Sequence, residues 1–104
     1  MQTQLVREDT VQQRLSRIRR WANRGNLRQF YLDLSARCPK GYMCQLELDT
    51  VTCYRIKEEK SLFGLIKHET KEPVLRMRRR DGDLEFEDVD ETFVSELVGV
   101  ARAD

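Results

Sequence analysis

Three cysteines, Cys38, Cys44 and Cys53, and the single histidine, His68, are the side chains best able to bind a metal or attack an electrophile. A Cys3His set suits tetrahedral zinc. Here the intervening stretches of five, eight and fourteen residues contain no C-x2-C knuckle, so no metal or other cofactor is expected. A Cys-His dyad needs thiol and imidazole within hydrogen-bond reach and a third group to orient the base. A four-residue turn at 58–61 would set Cys53 opposite Ile66 and Val51 opposite His68, making Cys53 and His68 diagonal neighbours. Their surroundings, Val51, Leu62 and Ile66, are apolar and supply no orienting acid, so a packed strand face is the better reading. No phosphate-cradling glycine loop, nucleophile elbow or metalloprotease motif occurs, and the chain reads as a non-enzyme.

An odd cysteine count is too small for a disulfide scaffold and points to reduced thiols in the cytoplasm. Cys38 and Cys44 flank Pro39-Lys40-Gly41 and would meet as a disulfide only under oxidising conditions. The opening residues lack the apolar core of a secretory signal, and apolar runs of five residues are too short to span a bilayer. No membrane association is expected.

Binding chemistry is concentrated in the first 40 residues, which hold 9 basic and 3 acidic side chains, against 10 basic and 15 acidic in the remainder. Arg14, Arg17, Arg20 and Arg24 recur at helical spacing with Trp21 at their edge. Guanidinium groups beside an aromatic ring suit a polyanion or an acidic protein, holding phosphates or carboxylates while the ring stacks or packs. The plainer alternative is internal neutralisation by the seven acidic residues between Asp81 and Glu91. The run Arg76–Arg80 is even more basic in isolation, but a hairpin register pairs all of its arginines except Arg79. A helix-turn-helix reader is disfavoured because the second helix presents only Arg28, Gln29, Asp33 and Arg37.

These residues must be positioned by elements that the spacing predicts. Val11, Leu15, Ile18 and Ala22 define one face of a helix from Thr10 to Arg24, opened by a Thr10/Gln13 capping box and stopped by Gly25. Asn26 caps a second helix, about 27–37, with Leu27, Phe30, Tyr31, Leu34 and Cys38 on one face before Pro39 and Gly41. After Gly41 the period shortens to 2: a strand from Met43 to Lys57, a turn at 58–61, a strand from Leu62 to Glu69 and a break at 70–73. Asp81-Gly82 then joins Leu75–Arg80 to Asp83–Glu87 as a two-residue hairpin, setting Arg80, Arg78 and Arg76 opposite Asp83, Glu85 and Glu87. A final helix starts at Asp88 or Asp90 and runs to about Arg102, with Phe93, Leu97, Val100 and Ala101 inward.

The fold expected is α+β: an antiparallel meander of about four strands with two N-terminal helices and one C-terminal helix, one domain over 1–104 with residues 1–9 as a flexible arm. The predicted register makes the central hairpin apolar on both sides, leaving Val51, Cys53, Leu62 and Ile66 as a surface for self-association or a protein partner. The function expected is a small non-enzymatic interaction or adaptor module, self-associating and using both that apolar strand face and the Arg-rich helix. A nucleic-acid-binding protein gripping phosphates through Arg14, Arg17, Arg20, Trp21 and Arg24 is the alternative. No small-molecule substrate is indicated.

Overall fold

A computed structural model describes residues 10–60 and 67–99. Thr10 opens helix α1 (Val11–Ala22) with a reciprocal pair of bonds. Its hydroxyl accepts from the Gln13 N–H at 3.1 Å, and the Gln13 side chain accepts from the Thr10 N–H at 2.9 Å. Leu15, Ile18 and Ala22 are buried on the inner side. The helix stops two residues short of Arg24, where the Arg24 N–H tightens onto the Trp21 carbonyl. Helix α2 (Leu27–Arg37) starts at Asn26, whose side chain accepts from the Gln29 N–H at 2.8 Å, and it buries Phe30 and Leu34.

Four antiparallel strands follow in the order β1 (Tyr42–Glu47), β2 (Thr50–Lys60), β3 (Lys67–Arg80) and β4 (Asp83–Glu87). The α+β arrangement expected from the sequence is present, but the chain is cut into strands at different places. The run from Met43 to Lys57 folds back at Leu48-Asp49, where Leu48 takes φ 52° without any glycine to mark the turn. The predicted turn at 58–61 is displaced, since Glu58, Glu59 and Lys60 pair with Glu69, His68 and Lys67. The predicted break at 70–73 lies inside β3. Pro73 is tolerated there because that half of β3 has only β2 beside it, so one edge of the backbone needs no donor.

Register corrects the expected pairing as well. Val51 faces Met77 and Cys53 faces Leu75, while His68 faces Glu59. Val74 is an extra residue between the Cys53–Leu75 and Tyr54–Pro73 pairs, a bulge that lets Val74 and Leu75 both be buried. The Asp81-Gly82 hairpin matches expectation, with φ 54° and 79°, and Arg80, Arg78 and Arg76 stand opposite Asp83, Glu85 and Glu87.

Asp90 caps α3 (Glu91–Val94), which runs on as a π-helical turn over Ser95–Gly99. Phe93, Val94 and Leu97 are buried, whereas the expected continuation through Val100, Ala101 and Arg102 lies outside the described residues. The helices supply the inner layer over Cys44, Val51, Cys53, Leu75, Met77 and Leu84. Thr52, Tyr54, Arg76, Arg78, Glu85 and Glu87 occupy the opposite sheet face, and of these only Thr52 is buried. Among the described residues, no helix is long and apolar enough to cross a membrane.

Candidate interaction surface

The arginines of α1 divide according to their direction on the wheel. Arg14 donates to the Ser95 hydroxyl, joining α1 to the C-terminal helix. Arg19, a residue the spacing did not single out, donates to the Leu84 carbonyl at 3.0 Å, pairs with Asp83 at 3.3 Å and lies 5.0 Å above the Phe86 ring. That contact realises part of the internal neutralisation by the 81–91 segment. Arg20 and Arg24 point outward and are exposed, as is Arg28 on α2. Gln13, Ser16, Arg17 and Arg20 line an open cleft of about 380 Å³ along α1.

Trp21 is half-buried at the α1–α2 corner, packed nearly perpendicular to Phe30 with centroids 5.2 Å apart. Arg37 closes over it from the end of α2, its guanidinium 4.9 Å from the ring centroid. Arg37 thus occupies a face of the ring that was expected to stack or pack against a partner. Phe30, Asp33 and Arg37 recur on one side of α2, which was the available signal for this neighbour. Together with Trp21, Arg24, Gly25 and Gln29 they line a pocket of about 160 Å³. Trp21 and Arg24 are therefore brought together with Arg37, while Arg17 and Arg20 share the separate α1 cleft and Arg14 joins neither.

The second predicted surface is enclosed where it can be seen. Val51 and Cys53 have no exposure, because their side chains face the helical layer. Leu62 and Ile66 lie outside the described residues. Strand pairing likewise separates Cys53 from His68, which is exposed along the β2–β3 ribbon, so the dyad geometry is not formed.

The three cysteines do meet. Cys44 Sγ lies 3.3 Å from Cys53 Sγ and 3.7 Å from Cys38 Sγ, all as free thiols. Chain folding at Leu48-Asp49 sets Cys44 directly opposite Cys53, and the end of α2 delivers half-buried Cys38. Burial, reinforced by the neighbouring Cys44, pushes the Cys38 thiol up to about 12. Hydrogen bonding to Cys53, then burial, raises Cys44 as well. Both therefore stay protonated at neutral pH. Among the described residues, no group of three His, Cys, Asp or Glu side chains is placed to hold a metal ion.

Elsewhere, several charged groups form ion pairs. Arg55 bridges Glu72 at 2.9 Å and Asp90 at 3.1 Å, Lys57 meets Glu72 at 3.4 Å, and Arg76 meets Asp88 at 3.2 Å. Hydrogen bonding from Arg55, with Lys57 behind it, lowers the Glu72 carboxyl. The Phe93 N–H, with Arg55 behind it, lowers Asp90. Compared with protein-family models, curated proteins and solved structures, the chain matches none.

Proposed function

We propose that the protein is a small non-enzymatic interaction module that holds an acidic partner protein against its helical pair. The observation that carries this reading is the unequal use of arginines. Arg14, Arg19 and Arg79 turn inward to Ser95, the Asp83–Leu84 strand and Ala22, and Arg55, Arg76 and Arg80 meet carboxylates. Arg20, Arg24 and Arg28 are exposed and meet no carboxylate among the described residues. Such guanidiniums offer paired donors to a partner's carboxylates and steer its approach. Self-association through Val51 and Cys53 is not part of the proposal, because the helices enclose both. Free thiols support a cytoplasmic setting.

A nucleic-acid partner is the second reading, favoured by the α1 cleft, where Gln13, Ser16, Arg17 and Arg20 combine amide, hydroxyl and guanidinium groups of the kind that hold phosphates. Against it, Arg37 covers a Trp21 face that would stack on a base. The discriminating experiment follows Trp21 fluorescence during titration with polyglutamate and with mixed-sequence DNA and RNA, repeated over a salt series. Preference for polyglutamate, lost in an Arg20→Glu, Arg24→Glu, Arg28→Glu variant, supports the protein-partner reading. Preference for nucleic acid with a log-linear salt dependence supports the second. Binding of neither polymer at low salt overturns both.

A further inference from the structure

We infer that Cys38, Cys44 and Cys53 form a three-thiol oxidation site that accepts a low-molecular-weight disulfide of the glutathione type and stores the resulting bond between Cys44 and Cys53. The three sulfurs form a chain leading inward, from half-buried Cys38 through Cys44, which is 7% exposed, to Cys53, which is fully enclosed. Successive gaps of 3.7 and 3.3 Å leave no atom between them. Arg37 and Lys40 flank the outermost cysteine in the chain, both exposed, and favour the approach of an anionic tripeptide disulfide.

The exchange balances without further reagents. The Cys38 thiolate attacks one sulfur of oxidised glutathione, forming a mixed disulfide and releasing one glutathione thiol. The Cys44 thiolate attacks Cys38 Sγ, forming Cys38–Cys44 and releasing the second glutathione. The Cys53 thiolate then attacks Cys44 Sγ, forming Cys44–Cys53 and returning Cys38 to a protonated thiol. The protein loses two hydrogens and the disulfide becomes two thiols. Cys44 and Cys53 are direct antiparallel partners. Such pairs have Cα atoms about 4.5–5.5 Å apart, inside the range of about 4.4–6.8 Å that disulfides span. Burial then keeps external thiols from the stored bond, while Cys38–Cys44 would remain accessible to them. Because burial holds the Cys38 thiol high, the first step is slow at neutral pH and accelerates with alkalinity.

Trypsin cleavage after Arg37, Lys40 and Arg55 separates Cys38 from a 41–55 fragment that holds both Cys44 and Cys53. Full-length protein is reduced, incubated with oxidised glutathione under native conditions, quenched in acid, alkylated and mapped by mass spectrometry. The expected product is a 41–55 fragment two hydrogens lighter and unalkylated, beside an alkylated 38–40 fragment. A Cys53→Ser variant should stop with 38–40 joined to 41–55, and Cys38→Ser should slow formation of the internal bond by roughly tenfold or more. An end product carrying glutathione on Cys38, a persistent 38–40/41–55 link in the native sequence, or no reaction would each overturn the inference. The map of the unmutated protein decides the matter even where a variant does not fold.

Discussion

Arg79 Nη2 donates to the Ala22 carbonyl at 3.0 Å, so a guanidinium from β3 closes the last turn of α1. A cation at a helix C-terminus satisfies an orphan carbonyl and meets the negative end of the dipole. Removing a charged partner from such a bond costs about 1.5–3 kcal/mol. Arg79→Met, which keeps much of the stem, is expected to lower the unfolding free energy by an amount in that range, read as a lower urea midpoint at an unchanged denaturant slope. An unchanged midpoint would show that the bond contributes nothing net.

Asp90 performs two tasks, accepting from the Phe93 N–H at 3.1 Å and from Arg55 at 3.1 Å. Its folded-state carboxyl is lowered, so the stabilisation is present above its ordinary value and is lost as pH falls through the folded one. Asp90→Ala should cost about 1 kcal/mol at neutral pH through the lost cap. Asp90→Asn keeps the cap and should flatten the decline of stability between neutral and acid pH, measured as urea midpoints across that range.

Cys38 has the opposite sign. Its folded value, about 12, stands above the ordinary 9.0, so its contribution is complete below the ordinary value and disappears as pH rises towards 12. The difference in stability between the native sequence and Cys38→Ala should therefore shrink with alkalinity. Alkylation of native Cys38 by iodoacetamide should rise about tenfold per pH unit from neutrality until the thiol titrates. A plateau near pH 9 would contradict this.

Leu48 combines two unfavourable states, φ 52° and 98% exposure. A branched side chain in the left-handed region costs of order 1 kcal/mol, and exposure returns nothing for it. Leu48→Gly is expected to raise the midpoint of thermal unfolding, with a gain of about 0.5–1 kcal/mol. A loss on substitution would indicate a native contact made by this side chain.

Elements with explicit punctuation were legible in the sequence. Thr10/Gln13, Asn26 and Asp81-Gly82 each prescribe a local hydrogen-bond pattern, and α1, α2 and the β3–β4 register follow them. Leu48-Asp49 carries no such mark, because its turn is imposed by pairing between β1 and β2 rather than by residue preference. Pro73 signals a break by composition, yet an edge position beside a bulge accommodates it. The first of these misplacements hid the thiol cluster: without the fold-back, Cys44 and Cys53 belong to one strand and cannot face each other. Among the arginines, spacing located a basic helix but not the tertiary partners that draw Arg14 and Arg19 inward.

The extra residue at Val74 also sets a rule of parity for the β2–β3 ribbon. Side chains alternate faces with period two, and the bulge shifts that alternation by one on β3, which places Glu72 on the same side as Arg55 and Lys57. Were Val74 instead paired regularly with Tyr54, Pro73 would stand opposite Arg55 and Glu72 opposite Ile56, whereas deleting Val74 keeps the Tyr54–Pro73 and Arg55–Glu72 pairs and removes only the irregularity. The ribbon can therefore shed one residue at the bulge without changing partners, whereas a single residue added between Lys67 and Pro73 needs a further bulge, or it turns the residues before it to the other face.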